Sequence, residues 1–251
     1  MQDGERERYR YFLKDSIRLA IDFSQTAQSR GLPAPPVEKP PAPGAPRVAL
    51  PKPGEWQGIG KVDLSEAIAA RQSLRRFRAE PLSLDELAYL LWATQGVRSH
   101  PNVWTTFRTV PSAGCRHAFE TYVCALNVAG LEEAVYRYLP LEHELVREQQ
   151  VEYLGDRLGA AALGQTFVGR GAATFVWSCL PYRMEWRYGL AAHKVIAVDA
   201  GHVCQNLYLA CAAVGAGTCA VAAYHQDRLD RLLGLDGKDE FAIYLAPVGK
   251  V

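Results

Sequence analysis

The sequence has no hydrophobic run long enough to cross a membrane and no excess of charge of one sign. Its longest apolar stretches, residues 195–200 and 207–221, are short or interrupted by Gly, Ala and Cys, whereas a bilayer span needs about 20 mostly apolar residues. The 28 Lys and Arg residues are balanced by 27 Asp and Glu residues, which leaves a formal net charge of +1. We therefore expect no membrane span, and no general electrostatic field that would attract nucleic acid or an anionic bilayer.

Paired cysteines and an apolar leader are also missing. The six cysteines are spread singly without a CxxC pair, and no His stands at the spacing of a zinc ligand. The first residues, MQDGERER, are charged rather than apolar, so they do not resemble a secretory signal. We expect a cytoplasmic protein without a bound metal, whose thiols are reduced and mostly buried.

The chain does have the composition of a globular domain, together with a proline-rich segment near its start. Hydrophobic residues make up 49% of the 251 residues, which is enough to bury a sizeable core. The proline-rich segment, residues 31–54, contains nine of the 15 prolines, a density typical of a polyproline linker or a wrapping arm. The sequence leaves open whether this segment is a loose tether or lies over a partner subunit. We predict a helix or arm with the proline-rich segment over residues 1–62, and one domain over residues 63–251.

Hydrophobic periodicity predicts helices and strands that mix without a regular βαβ order. Ser83 and Glu86 form a capping-box pattern at the start of one helix, and Gly96 is expected to end it. The lack of βαβ order favours an α+β fold with a mixed, mostly antiparallel sheet flanked by helices. Helices are predicted within residues 63–75, 84–95, 149–162 and 194–213, and strands over residues 121–128, 134–139, 172–179 and 241–248.

The sequence RQSLR at residues 71–75 places two guanidinium groups four residues apart, where a short helix gives way to a loop. Arg presents a planar fork of donors that matches phosphate oxygens, and a Ser hydroxyl adds a short neutral donor. The segment is therefore a candidate phosphate site. The alternative is a solvated basic patch with Arg76, Arg78 and Glu80, because exposed arginines commonly form such patches.

Two further segments are rich in small residues that allow a ligand to approach the backbone. Residues 109–114, TVPSAG, join a proline that fixes φ to Ser, Ala and Gly, and residues 214–224 contain Gly215 and Gly217. Both segments also fit ordinary structure, namely a turn before a strand and tight packing of a helix on a strand. The two glycines follow a helix, whereas the GxGxxG turn of a Rossmann domain follows a strand. A nicotinamide-binding Rossmann domain is therefore disfavoured.

Taken in order, these motifs resemble those of the nitroreductase-like flavin mononucleotide (FMN) oxidoreductases. The likeness covers residues 63–251 and rests on RxSxRxF, PSAG, YG followed by DAGHVxQNL, GxGTC and the terminal PVGK. The chain is most similar to the azoline-dehydrogenase branch, called the SagB or ThcOx type. The resemblance implies an α+β nitroreductase-like fold and an intertwined homodimer, with the flavin site at the interface between subunits.

The resemblance also implies roles for individual residues. Flavin chemistry needs donors near N5 and positive charge or donors near N1, and backbone amides suffice at N5. Small side chains are therefore acceptable there, although the same alanines also fit core packing. The implied cofactor residues are Arg71, Ser73, Arg75 and Lys250 at the phosphate and ribityl chain, Gln72 at the pyrimidine ring, Pro111, Ser112 and Gly114 in a loop from the neighbouring subunit, and the amides of Ala222 and Ala223 at N5.

The azoline-dehydrogenase branch has a Lys-Tyr pair beside the flavin, and the corresponding residues here are Arg187 and Tyr188. Tyr188 is a candidate proton donor to bound substrate, and Arg187 is a candidate for lowering the Tyr188 pKa or binding an anion. Arg does not deprotonate in proteins, which counts against azoline oxidation. The alternative for Tyr188 is simple packing at the flavin or at a helix start. His202 is expected to be a core histidine.

The sequence thus predicts an FMN-dependent oxidoreductase that transfers a hydride at flavin N5 to or from a small organic substrate, with NAD(P)H as a candidate electron donor. One alternative is an azoline-type dehydrogenase that acts on a modified peptide. Another is a non-catalytic flavin-binding or scaffold protein whose proline-rich segment recruits a partner. Phosphate-ester hydrolysis is not expected, because the sequence shows neither a metal-binding carboxylate set nor a nucleophile beside a base.

Overall fold

The computed structural model describes residues 3–251, and the centre of the fold is a seven-stranded antiparallel sheet. The strands are β1 (Arg47–Ala49), β2 (Val97–Asn102), β3 (Thr105–Arg108), β4 (Phe119–Ala125), β5 (Ala134–Leu139), β6 (Glu144–Gln149), β7 (Ala173–Cys179), β8 (Ala216–Thr218) and β9 (Phe241–Lys250). The sheet order is β1-β6-β5-β4-β7-β9-β8, with every neighbouring pair antiparallel. β2 and β3 form a separate hairpin.

Helices cover both faces of the sheet. They are α1 (Asp3–Tyr11), α2 (Leu64–Ala70), α3 (Leu84–Gln95), α4 (Leu154–Ala161), α5 (Tyr182–Tyr188), α6 (Ala192–Ala213) and α7 (Gln226–Leu233). One face packs on α3 and α6, and the other packs on α4 and α7. In β7, Phe175 and Trp177 belong to the first core while Val176 belongs to the second, as alternation along a strand requires. The predicted α+β class with an antiparallel sheet flanked by helices is confirmed.

Helix α3 shows how local sequence sets a boundary. Ser83 Oγ accepts the backbone N–H of Glu86 at 3.1 Å, and Glu86 Oε2 accepts that of Ser83 at 2.9 Å, which completes the predicted capping box. Gly96 follows the last helical residue, but its φ of −60° is not left-handed. Glycine is needed there because a Cβ would lie 2.3 Å from Cδ1 of Trp92. Tight packing, rather than a left-handed turn, therefore accounts for the glycine.

The predicted helix over residues 149–162 is wrong in its first part. Residues 144–149 form strand β6, and α4 begins at Leu154 after Tyr153, whose φ of 55° interrupts the chain direction. Strand β6 was not predicted because its sequence, ELVREQ, is mostly polar. Its charged side chains pair across the sheet, with Glu148 bonded to Arg137 at 2.6 Å.

The proline-rich segment lies along its own chain, which neither of the two alternatives foresaw. Residues 47–49 add strand β1 to β6, and the N–H of Arg147 bonds to the carbonyl of Pro46 at 2.9 Å. Trp186 Nε1 donates to the carbonyl of Leu32 at 2.9 Å. The segment thus closes one edge of the sheet and contacts α5.

At the proline-rich segment lies a group of charged side chains, which we call the ionic cluster: the half-buried Lys39 of the segment itself and the buried Glu120, Arg137, Arg183 and Glu240. Glu120 accepts from both Arg183 and Arg137, and its Oε1 also accepts the backbone N–H of Lys39 at 2.8 Å. Lys39 Nζ pairs with Glu240 Oε2 at 2.5 Å. Burial opposes charge on Glu120, yet the two guanidinium groups hold its pKa below the usual value. The cluster ties the segment to β4, β5 and α5.

Two absences are recorded for the part of the chain that the structure describes. None of the helices in residues 3–251 combines the length and apolar character that a bilayer crossing demands. The same residues contain no group of three or more His, Cys, Asp or Glu side chains placed to hold a metal ion. The six cysteines are unpaired and all except the half-buried Cys115 are buried, as expected.

Candidate functional site

The basic segment, residues 71–78, runs from the end of α2 across the edge of the sheet. The N–H of Leu74 bonds to the carbonyl of Thr218 in β8 at 2.9 Å, and that of Arg78 bonds to the carbonyl of Lys250 in β9 at 2.9 Å. Gly217 permits this close approach, because a Cβ at that position would lie 2.6 Å from Cδ1 of Leu74. The sheet edge therefore fixes the backbone that carries the predicted phosphate ligands.

Tyr208 of α6 joins the basic segment to the loop after β8. Its hydroxyl lies 2.9 Å from Ser73 Oγ and accepts the backbone N–H of Ala220 at 2.8 Å. The Arg71 guanidinium stacks on the Tyr208 ring, 5.3 Å from the centroid. Sequence reasoning missed Tyr208, although a polar tip within an otherwise apolar helix face was the available signal.

Arg71 and Arg75 lack acidic partners. Within residues 3–251 neither guanidinium has a carboxylate within 4 Å, and the Arg75 guanidinium instead lies 5.7 Å from the ring centroid of Phe167. Glu80 forms no ion pair with them either. Arg71 and Gln72 line a small cavity of about 90 Å³ beside Tyr208. Unpaired guanidinium groups, a hydroxyl and a small cavity fit a phosphate monoester.

Lys250 is not brought to this group. Its Nζ donates to Glu86 Oε1 at 2.5 Å and to the carbonyl of Val214, at the end of α6, at 2.7 Å. The Lys250 charge is therefore balanced by a carboxylate and by the negative end of a helix. Its role at the phosphate stays a prediction.

Ala222 and Ala223 lie in an exposed loop directly after β8. Their backbone N–H groups donate to no acceptor in residues 3–251, whereas the carbonyl of Ala223 accepts from Gln165 Nε2 at 3.0 Å. The neighbouring Val221 is fixed to Leu245 of β9 by two backbone hydrogen bonds. The loop therefore presents two free donors from a rigid strand end, which fits the predicted contact with a flavin edge. The alternative of core packing is not observed, because both alanines are exposed.

Residues 111–114 form a second part of the candidate site, held by Asp199 of α6. Asp199 Oδ2 accepts the backbone N–H of Ala113 at 3.2 Å and bonds to the side chain of Ser112. Ser112 Oγ in turn accepts the N–H of His117 at 2.9 Å. Burial raises the pKa of Asp199. An acidic residue inside an apolar helix was the sequence signal for Asp199, and it was not used.

The side chains of Arg187 and Tyr188 lie directly against this loop. Gly114 has a φ of 58°, and a Cβ there would lie 2.5 Å from the Tyr188 hydroxyl oxygen and 2.8 Å from Arg187 Nε. Glycine is required for both reasons. Arg187 is exposed, and its Nη1 donates to Gln28 Oε1 at 3.2 Å.

The structure thus brings the predicted residues together in two groups rather than one. Tyr208 holds the basic segment and Asp199 holds the 111–114 loop, and these two residues stand nine positions apart on α6, about 14 Å along the helix axis. A groove of about 730 Å³ with Pro111 on its wall also contacts Ala67, which lines the small cavity as well. Its size lies within the range of about 300–1,000 Å³ that is usual for ligand pockets.

His202 is not the core histidine that the sequence indicated. It is exposed on α6, on the same face as Val198, which is 50% exposed, and Gln205. An apolar helix is normally surrounded by protein, which is why the histidine was expected to be buried. In a single chain one face of α6 remains uncovered.

Within residues 3–251 the fold is thus an antiparallel sheet with helices on both faces, and one edge of the sheet carries arginines without acidic partners and backbone amides without acceptors. The sequence profile of the nitroreductase family matches residues 68–250, so the chain belongs to the nitroreductase family.

Individual relatives agree with this assignment. The chain is 33% identical over 192 residues to a candidate nitroreductase of Methanocaldococcus jannaschii, and the aligned region covers 76% of this chain and 93% of that protein. It is 27% identical over 166 residues to the trifolitoxin-processing protein TfxB of Rhizobium leguminosarum bv. trifolii, covering 62% of this chain and 44% of TfxB. A crystal structure of a candidate nitroreductase from Ralstonia eutropha superposes with a TM-score of 0.68 at 26% identity, covering 88% of this chain and 99% of that one.

Proposed function

We propose that this protein is an FMN-dependent oxidoreductase that transfers a hydride between flavin N5 and a small organic substrate. The observation that carries the proposal is the sheet edge, where two arginines without acidic partners, a serine hydroxyl and two free backbone amides occur together. Family membership supports the same conclusion, because nitroreductases generally bind flavin. Bound FMN would supply a ring that accepts and returns two electrons.

The chain's own residues have distinct tasks in this proposal. Arg71, Ser73 and Arg75 bind the phosphate and ribityl chain, and Tyr208 fixes the Ser73 hydroxyl. The amides of residues 222 and 223 orient the reactive edge of the ring. Because these donors are held by the sheet edge before any ligand binds, little ordering is needed on binding.

Tyr188 is the proposed proton donor or hydrogen-bond donor to the substrate. The loop at Gly114 holds its hydroxyl in place from one side, and Arg187 lies 5.6 Å from its ring centroid. A phenol in contact with a guanidinium can hold a proton for transfer while a developing negative charge is stabilised.

We also propose that the active protein is a homodimer. Apolar side chains are exposed on α2 and α6, including Leu64 at 63%, Ile68 at 57% and Val198 at 50%. Exposed apolar side chains of this kind favour association. A second copy that covers α6 would also place a second 111–114 loop near the basic segment, as the family resemblance implies.

The absorption spectrum of the purified protein, followed by anaerobic reduction, tests the proposal. We expect bound or added FMN to show a protein-shifted flavin band that bleaches with NAD(P)H or dithionite and returns when a quinone or nitroaromatic acceptor is added. Failure to bind FMN under saturating conditions would contradict the proposal. A bound flavin that resists reduction would instead favour a non-catalytic binding protein.

A second candidate function is dehydrogenation of an azoline in a modified peptide. The similarity to a trifolitoxin-processing protein favours it, together with the presence of Tyr188 beside the 111–114 loop. Arg187 in place of the lysine counts against it, because a guanidinium cannot serve as a base. Reduction of dioxygen to hydrogen peroxide as an azoline peptide is oxidised, without consumption of NAD(P)H, would select this candidate over the reductase.

A further inference from the structure

A cleft of about 440 Å³ opens between residues 28–34, the β2-β3 hairpin and the end of α5. It lies next to the loop that contacts the Tyr188 hydroxyl, so a molecule in the cleft would be close to the proposed proton donor. The family resemblance implies roles for Gly114 and Arg187 on its wall, but none for the other lining residues. Its wall includes Gln28, Trp104, Gly114, Arg116, Trp186 and Arg187. We call it the arginine cleft.

Arg116 is fixed in the cleft by three contacts. Its guanidinium stacks on the Trp186 ring, 5.3 Å from the centroid. Its Nε donates to the carbonyl of Gly114 at 3.2 Å, and its Nη2 donates to that of Trp104 at 2.7 Å. Nη1 makes no hydrogen bond within residues 3–251. The side chain is thus held rigidly, with donors left over.

Arg187 contributes the second positive charge. Its one side-chain hydrogen bond in the described part of the chain goes to the neutral amide of Gln28. Burial and the nearby Arg187 both lower the pKa of Arg116. Neither arginine has a carboxylate within 4 Å among residues 3–251, so no acidic side chain there offsets the repulsion between them. An anion between the two would remove this cost.

The cleft also offers flat apolar surface. Trp104, at the turn of the β2-β3 hairpin, is 51% exposed, and Trp186 forms the floor beneath Arg116. Aromatic side chains stack well on planar groups. The backbone nearby is constrained, since Cys115 and His117, which are not glycines, have φ values of 54° and 44°. Strained backbone of this kind persists where the surroundings hold it and is concentrated at ligand sites.

We propose that the arginine cleft binds the substrate by its carboxylate, with Arg116 and Arg187 as the anchors and Trp104 as the stacking surface for a flat group. This inference rests on the proposed function, because it takes Tyr188 to face the substrate. A bidentate guanidinium is the preferred protein partner of a carboxylate. The substrate class is therefore an organic acid with a planar part, whether a free acid or the end of a peptide.

The test compares benzoate with benzamide, which share their ring and size but differ in charge. Their binding to the FMN-loaded protein is measured by isothermal titration calorimetry. We expect benzoate to bind about tenfold or more tightly than benzamide, and to weaken as salt is added. In Arg187→Gln and in Arg116→Gln the ratio of the two affinities should fall towards one.

Arg187→Gln is the decisive variant, because Arg116 also holds two carbonyls and its loss disturbs the loop. Arg228→Gln, which removes an exposed charge on α7, is the matched control and should keep the wild-type ratio. Equal affinity for benzoate and benzamide in wild-type protein that binds and reduces FMN would overturn the cleft assignment and leave the proposed function standing. Failure of the wild-type protein to bind FMN would overturn the proposed function itself.

A second arm separates the two sources of the carboxylate. The first pair is N-benzoylglycine and its amide, which represents a free acid. The second pair is the tripeptide Ala-Ala-Phe and its C-terminal amide, which represents a peptide end. Tighter binding of the acid than of the amide within either pair supports the cleft assignment and identifies the source of the carboxylate. A loss of NADPH affinity in Arg187→Gln, with benzoate binding unchanged, would assign the cleft to the electron donor and overturn the substrate assignment.

Discussion

The protein holds its arginines in two contrasting settings. In the ionic cluster, Arg137 and Arg183 are buried and share the carboxylate of Glu120. At the candidate site, Arg71, Arg75 and the arginines of the cleft lie at the surface over aromatic rings, and no carboxylate within residues 3–251 pairs with them. A buried charge is costly unless it is paired or hydrogen-bonded, whereas a half-exposed charge remains available to a ligand. The shared carboxylate of Glu120 therefore distinguishes the arginines of the ionic cluster from those that we propose serve binding.

Glu120→Gln should break the first setting and produce the largest effect. The substitution leaves Arg183 without a counter-charge and Arg137 with Glu148 as its remaining partner, and breaking a buried ion pair typically costs about 3–5 kcal/mol. We expect the free energy of unfolding, measured by urea titration, to fall by that order. Glu144→Gln is the control, because Glu144 pairs with the exposed Arg47 at 3.2 Å and such pairs contribute about 0–1 kcal/mol. Equal losses in the two variants would refute the distinction.

Replacing both Arg71 and Arg75 by Ala should break the second setting. Each charge-assisted contact with phosphate contributes about 1.5–3 kcal/mol, so the affinity for FMN should fall about tenfold or more for each arginine. The unfolding midpoint of the flavin-free protein should hardly change, since neither side chain pairs with another charge. FMN binding is followed by quenching of flavin fluorescence. Unchanged affinity in the double variant would remove the phosphate assignment.

Glu38→Gln tests a carboxylate of the proline-rich segment whose charge is opposed by burial. Burial raises the pKa of Glu38 to about 7, although its Oε2 accepts the N–H of Leu141 at 3.0 Å. Between its usual value and about 7 the folded state binds the proton more strongly, so this residue makes stability fall as pH rises through that window. We expect Glu38→Gln to be more stable than wild type at pH 8, by about 1–3 kcal/mol, and to differ little from it at pH 4. Urea unfolding at the two pH values measures the effect. An equal difference at both values would contradict it.

Much of the fold could be predicted from the sequence because its signals are local. The capping box at Ser83 and the apolar run of α6 each depend on neighbours within a few residues, and both predicted elements are present. Strand β6 could not be predicted, because its polar residues form a strand only through their pairing with β5 and β1. The ionic cluster was equally invisible, since Lys39 and Glu240 stand 201 positions apart in the chain.

The candidate site likewise contains residues that the sequence indicated and residues that only the folded structure revealed. The motif at residues 71–75 marked the arginines and the serine, because phosphate binding needs those residue types close together in sequence. Tyr208 and Asp199 were missed, although they fix the basic segment and the 111–114 loop respectively. Their roles depend on the packing of α6 against loops that are distant in the chain.

The amino-acid sequence alone determined the α+β class, helices α2, α3 and α6 with part of α4, the strands β4, β5, β7 and β9, and the residue types suited to a phosphate-bearing flavin, because short-range periodicity and spacing encode them. Tertiary structure decided that the proline-rich segment covers its own chain, that the site residues fall into two groups along α6, and which arginines stay unpaired. Those features are contacts between remote residues, and burial and charge pairing are set only when the chain has folded.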